Sequence, residues 1–327
     1  MSRIIITGIT GFVGSWLADY ILENHSEVEV HGLKRWRSPM ENIAHIKDRL
    51  TLHDGDLRDL SSMLTVIKEV EPDWVFHLAS QSFVPYSYSV PTDTLITNVI
   101  GTAKLLEAVR ISQQGRTQED YWLDPKILIC GSPEEYGQCE TVMTEETPLN
   151  PVSPYAVSKV AETRLGYMYY KAYGLKTVIS RAFAHEGPRR GEVFAVSVFA
   201  KQIAKIEKGI QEPVIKVGNL NSIRTYADVR DIVRAYWLLI EKGEPGEVYN
   251  IGGNETMTVG EMLKLMLSMT EIGDSVKTVV DEELLRPADV TLQIPDCSKF
   301  KKLTGWEPQI RFQQTLEDTL NYWRQRV

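Results

Sequence analysis

The 327-residue chain has only three cysteines, Cys130, Cys139 and Cys297. An odd number cannot pair completely within one chain, so the expectation is reduced thiols and a cytoplasmic location. No Cys/His spacing suits a metal, and none is expected. No apolar run approaches the ~20 residues that a membrane span needs. The N-terminus enters an apolar run almost at once, which does not fit a signal peptide. Positive charge is short as well. Lys and Arg number 36 against 44 Asp and Glu, leaving a net charge of −8, and this argues against a nucleic-acid partner. Internal repeats and low-complexity tracts are missing. The nearest approach to a linker is the polar stretch 112–120, read as a surface loop. What remains is 43% hydrophobic and 24% charged, a balance that suits a large buried core in one large or two unequal lobes.

The chain begins with Arg3-Ile-Ile-Ile-Thr7, apolar and β-branched as a buried parallel strand should be. Gly8-Ile-Thr10-Gly11-Phe12-Val13-Gly14 follows, and then a segment with apolar residues at helical spacing. The glycines therefore sit where a strand turns into a helix. Gly8 permits the tight turn, Gly11 lets the backbone approach a pyrophosphate, and Gly14 lets the helix pack close to the sheet. The spacing is G-x-x-G-x-x-G rather than G-x-G-x-x-G. A second strand ends at Lys34-Arg35-Trp36-Arg37, with no carboxylate for an adenosine ribose. Arg35 and Arg37 suit a 2′-phosphate, so NADP is expected over NAD. A third strand ends near Asp56 and Leu57, expected beside the adenine. A fourth ends at Leu78-Ala79-Ser80, with Gln81 and Ser82 beyond it, and a fifth ends at Ser132. Ligands of open α/β sheets bind beyond the carboxyl ends of strands, and all these residues fall on that edge. The predicted fold is α/β, a doubly wound parallel sheet (Rossmann) over residues 1–183, with a smaller C-terminal lobe over 184–327 from which chain pieces cross. Helices are predicted over 94–109, 161–173, 198–207, 231–239 and 259–267.

Tyr155 and Lys159 stand four positions apart, on one face of a helix. An ammonium beside a phenol lowers a pKa that is otherwise about 10. The expectation is therefore a tyrosine that exchanges protons near neutral pH, with Ser132 holding the substrate oxygen. Tyr-x-x-x-Lys alone is a weak signal, since a surface pair on an ordinary helix reads the same. The glycine-rich start gives it weight.

Together these residues resemble the extended short-chain dehydrogenase/reductase family. The likeness rests on Thr7-Gly-x-x-Gly-Phe-Val-Gly14, Gly55-Asp-Leu-x-Asp59, His77-Leu-Ala79, Asn98-x-x-Gly-Thr102, Gly131-Ser132, Tyr155-x-x-x-Lys159 and Asp228-Val-x-Asp-Ile232. It implies a Ser132, Tyr155, Lys159 triad and a nucleotide-sugar substrate, with hydride exchange at the sugar C4. Val30-His-Gly-Leu-Lys-Arg35, Ala79-Ser-Gln-Ser-Phe83, His185-Glu-Gly-Pro-Arg-Arg-Gly-Glu192 and Arg286-Pro-Ala-Asp-Val290 look like GDP-mannose 4,6-dehydratases. Gly11-Phe-Val-Gly14, Ser132-x-Glu-Glu-Tyr-Gly137, Phe199-Ala-Lys-Gln-Ile203 and residues 212–220 look like GDP-4-keto-6-deoxymannose reductases. The chain leans to the dehydratase, with the reductase next and a 4-epimerase on the same scaffold as a further alternative. By this resemblance Glu134 is the base that removes the C5 proton. Pro133 between Ser132 and Glu134 can donate nothing, and Ala184 replaces the Asn that normally precedes His185. The resemblance also places His185 and Arg190 against the cofactor. Arg189, Val217, Arg224, Arg286 and Asp289 join Gln81, Ser82, Ser132 and Glu134 around a GDP-sugar. A homodimer or homotetramer is implied, with Tyr167, Tyr169 and Tyr170 near a helical interface.

Overall fold

The computed structural model describes residues 2–114 and 124–327, so most of the predicted surface loop at 112–120 lies outside the described residues. Six strands run β1 (Ser2–Thr7), β2 (Val28–Lys34), β3 (Thr51–Asp54), β4 (Trp74–His77), β5 (Lys126–Gly131) and β6 (Lys176–Ala182). With the edge strand Val248–Ile251 they form a seven-stranded sheet, ordered Val248–Ile251, β6, β5, β4, β1, β2, β3. All of its pairings are parallel. Parallel strands covered on both faces are apolar throughout. Successive side chains point to opposite faces, and β1 shows it. Ile4 and Ile6 enter the layer that holds Leu17, Ile21 and Trp237, whereas Ile5 enters the layer of Met63, Ile67 and Leu106. The strand order reverses between β1 and β4, which opens a crevice at their carboxyl ends.

A third core, around Phe199, Ile203, Met262, Leu316 and Leu320, holds the smaller lobe together. Its sheet contains Glu255–Thr258, Ile223–Asp228 and Leu292–Gln293, with His185–Glu186 joined to the middle strand. A separate ribbon pairs Val214–Val217 with Lys277–Val280. Two later segments pack onto the large sheet. The helix Val229–Lys242 carries Trp237 into the first layer of the large sheet, and Val248 of the seventh strand pairs with Ile179.

Helices fall close to where apolar spacing predicted them, although the one predicted over 161–173 begins at Pro154, and one segment departs in kind. The segment predicted as a helix over 94–109 is built as Pro91–Leu95, a wider π-type turn over Ile96–Ile100, and Gly101–Gln113. Such a turn re-aims one side chain, often at a functional site. Here Asn98 is turned inward. It accepts from the Gln81 amide at 2.7 Å and donates to the Gln81 carbonyl at 3.0 Å and the Ser158 hydroxyl at 2.9 Å. One amide thus ties the end of β4 to the helix that carries Tyr155.

Candidate active site

The glycine turn closes against β4. Gly8 adopts φ +73°, and a Cβ there would meet the Ala79 backbone at 3.0 Å. A Cβ on Gly14 would lie 2.3 Å from the Gly8 carbonyl oxygen, so the helix Phe12–Asn24 starts this close only without a side chain. The Thr7 hydroxyl accepts from the Leu78 and Ala79 amides, both at 3.1 Å, and pins the two strand ends together. Thr10 offers its carbonyl to Asn42 at 3.1 Å, and Val13 packs against the first core layer. Beside this turn, Ser80 Oγ and Gln81 Oε1 are buried without a hydrogen-bond partner among the described residues. Buried polar atoms are rarely left so. A narrow glycine cradle next to two open polar atoms fits a dinucleotide.

Phe12, His185 and Arg190 wall the same place. The Phe12 and His185 rings stack with centroids 6.1 Å apart. Arg190 lies 5.2 Å from the Phe12 centroid, donates to the His185 carbonyl at 3.0 Å, and pairs with Glu186 at 3.0 Å. Burial, and then Arg190, hold the His185 imidazole down to about 4, so it stays neutral. At the far end, Lys34 is held by Asp54 at 2.5 Å, while Arg35 and Arg37 are exposed and Arg37 stacks 4.5 Å over Trp36. Asp56 is paired with Arg58 at 2.8 Å, and those hydrogen bonds lower its pKa. Leu57 is buried beside Gly101.

The catalytic candidates converge through two caps. Ser132 follows β5 directly and caps the short turn Pro133–Tyr136, its hydroxyl accepting from the Glu134 amide at 3.2 Å while Glu135 accepts from the Ser132 amide at 2.8 Å. Ser153 caps the helix Pro154–Tyr173 by accepting from the Ala156 amide at 3.1 Å, and Pro154 fits its first turn. Tyr155 and Lys159 then follow one turn apart. The ammonium sits 5.9 Å from the Tyr155 ring centroid and donates to the Cys130 carbonyl at 3.0 Å and to Glu162 at 3.1 Å. Burial pushes the Tyr155 phenol above its ordinary pKa, and the opposing pull of Lys159 and of the Ser132 hydrogen bond is the smaller effect. Desolvation of the phenolate outweighs one ammonium whose own charge is shared with a carboxylate.

Glu134 is partly buried, with its Oε1 3.4 Å from Arg286 and 3.3 Å from the Gln293 amide. Arg286 also reaches Asp289 at 3.9 Å. Asp289 accepts from Asn219 at 2.8 Å and from Ser222 at 2.9 Å, and Arg224 lies 3.9 Å from it. Of these residues, Asn219, Arg286 and Asp289 line a cavity of about 520 Å³, together with the rest of the 218–221 loop, Val280 and Leu285, with buried Val217 at the loop's root. Gln81 reaches the site edge through Asn98, and Ser82 is exposed. Arg189 is a correction. With a left-handed backbone (φ +73°), it turns onto the first helix, pairing with Asp19 at 2.6 Å and lying 4.2 Å from the Trp16 centroid. Its charge is satisfied there, away from the cavity around Arg286. Sequence reasoning missed Glu162 and Gln293. A Glu three residues after the candidate Lys shares its helix face and was a readable signal. Gln293 gave none, because its two-residue strand has no period.

The model of the GDP-mannose 4,6-dehydratase family matches residues 5–319. The chain belongs to that family. It is 35% identical over 325 residues to GDP-mannose 4,6 dehydratase 2 of Arabidopsis thaliana, covering 96% of this chain and 84% of that protein. It is also 30% identical to the GDP-6-deoxy-D-mannose reductase of Pseudomonas aeruginosa, covering 99% of this chain and 98% of that one. The structure of RMD from Pseudomonas aeruginosa complexed with NADPH superposes with a TM-score of 0.83 at 29% identity, over 100% of both chains. The family relationship accords with the doubly wound fold and the sugar-nucleotide chemistry expected above.

Proposed function

We propose that the protein is an NADP-dependent GDP-mannose 4,6-dehydratase that forms GDP-4-keto-6-deoxymannose with loss of one water. The match of the dehydratase family model over residues 5–319 supports this reading, and Glu134, a partly buried carboxylate held by Arg286 and Gln293, supplies the base it needs. Ser132 holds the C4 oxygen and Tyr155 takes the C4 hydroxyl proton. Lys159 stabilises the phenolate while the proton is away. Glu134 removes the C5 proton, and the C6 hydroxyl departs as water with a proton of that origin. When bound, a nicotinamide dinucleotide would supply the acceptor for the C4 hydride and its donor to C6, and a proton returned to C5, in net the one Tyr155 took from the C4 hydroxyl, completes the product and restores Tyr155. Arg224 and Arg286 suit the diphosphate, and Asp289 can accept from both ribose hydroxyls. The choice of NADP rests on exposed Arg35, free of the Lys34–Asp54 pair. Exposed Leu95, Ile96, Ile100, Val157, Tyr167 and Met168 on neighbouring helices support self-association as a homodimer or homotetramer. Tyr169 is excluded from that face, since it is buried and bonded to Glu107 at 3.1 Å.

Incubation with GDP-mannose and NADP should give a product lighter by one water. The reductase is the second reading, favoured by the end-to-end match to the Pseudomonas enzyme. An unchanged GDP-mannose mass, with NADPH consumed when the 4-keto sugar is supplied, would replace the first reading by the second.

A further inference from the structure

The site contains a charged group that the triad chemistry does not use. Glu162 lies in the same helix as Tyr155 and Lys159, one turn further on, with its carboxyl 3.1 Å from the Lys159 ammonium. The two side chains are 1% and 6% exposed. Glu162 Oε1 has no hydrogen-bond partner among the described residues. An ammonium carries three donors. One goes to Glu162 and one to the Cys130 carbonyl, which leaves a single donor for the crevice.

We propose that Glu162 is a positioning residue for the proton step: it orients the Lys159 ammonium, cancels part of its charge, and thereby sets the acidity of Tyr155. The proposal deepens the reading of Tyr155 as the proton-transfer group and rests on it. In a low-dielectric interior a cation with an anion at contact distance acts on a third group as a dipole, so its pull on a phenolate is much reduced. That is the physical reason one ammonium does not overcome the burial of Tyr155.

The other groups facing the pair do not supply this counter-charge. His77, on β4, is held neutral by burial, its pKa pushed down to about 3. Cys130, on β5, is kept a thiol by burial, its pKa pushed up to about 11. Tyr236, from the helix Val229–Lys242, is held far above its ordinary range by burial. Glu135 is engaged by Arg181 at 3.0 Å, and Glu134 by Arg286. Burial pushes the Glu162 carboxyl itself up, and Lys159 opposes that shift.

The test follows the tyrosine Cζ signal of protein labelled with ¹³C at that carbon, titrated without substrate, with Tyr155 assigned by its loss in Tyr155→Phe. Glu162→Gln should lower the Tyr155 titration midpoint by about one pH unit or more, and Glu162→Asp should restore a midpoint near the wild type. If Glu162→Gln does not fold, Glu162→Ser removes the same charge and leaves room for water. In turnover, the acid limb of the kcat profile should move to lower pH in the Gln variant, with KM little changed. An unmoved Tyr155 midpoint in a folded variant lacking the carboxylate overturns the proposal. A moved midpoint in a protein that turns over no GDP-sugar upholds Glu162 and sinks the functional reading instead.

Discussion

The two sides of the crevice are made from different materials. On the side proposed for the dinucleotide the polar groups are backbone and small side chains: the turn at Gly8, a Thr7 hydroxyl shared by two amides, and the open atoms of Ser80 and Gln81. On the side proposed for the sugar they are mostly charged side chains already bonded to one another or to neutral partners, Glu134 to Arg286, Arg286 to Asp289, and Asp289 to Asn219 and Ser222. Backbone that is locked by tight packing is preorganised and tolerates little change. A network of charged side chains must exchange partners when a ligand arrives, so binding there costs the broken pairs and leaves room to adjust specificity.

The junction of the two sides should be the most sensitive point. Tyr155→Phe keeps the packing and removes the transferable proton, so kcat should fall by about 10² to 10⁴-fold with dinucleotide affinity retained by equilibrium titration. A change confined to the backbone side comes next. Gly14→Ala sets a methyl against the Gly8 carbonyl, and fluorescence titration should show dinucleotide binding weakened by at least tenfold, or the chain should lose its cooperative melt. On the charged side, Arg286→Ala removes one charge-assisted contact of about 1.5–3 kcal/mol. KM for the GDP-sugar should rise roughly 10- to 100-fold while dinucleotide binding stays as it was. If Arg286→Ala weakened both ligands alike, the contrast between the two sides would be lost.

Protons offer a gentler probe. His77 bridges Thr7 and Thr102 at 2.9 and 2.8 Å, and burial holds it down to about 3, far below the roughly 6.5 of an unfolded chain. The unfolded state therefore takes up the proton first. The stability His77 contributes is fully present above about pH 6.5 and is lost as pH falls toward its folded value, at about 1.4 kcal/mol per pH unit. Glu162 and Glu186, raised to about 7 by burial, act with the opposite sign above about pH 4.5. The informative quantity is thus the difference in slope between wild type and His77→Gln in urea melts below pH 6.5. The smallest effect is expected at Arg35→Ser, a change at an exposed position. It should shift preference from NADP toward NAD by about tenfold or less, read from the two cofactor affinities.

Much of the dinucleotide side was legible in the sequence because its signals are local. A β-branched run, three glycines and a helical apolar spacing lie within one continuous stretch, and their geometry follows from backbone sterics. Tyr155, Lys159 and Ser132 were legible for a similar reason, each lying at a capped start or a strand end. The charged side was less so. Arg189 and Arg190 are adjacent in sequence, yet one folds onto Asp19 and the other onto Glu186, because a left-handed backbone at Arg189 sends their side chains apart. Gln293 reaches Glu134 across 159 positions, a closure that no local pattern encodes. The direction of the Tyr155 shift depended on the depth of burial and on the partner of Lys159, both tertiary properties.

The seventh strand of the large sheet also orders events during synthesis. Until residues 248–251 have left the ribosome, β6 is an open edge, and until the helix Val229–Lys242 arrives, Phe76 and Leu128 lack their cover. The N-terminal half is therefore expected to complete its fold only together with the lobe that follows it. A fragment ending at residue 183 should be sticky and aggregation-prone, and a nick between the lobes should leave both pieces bound together.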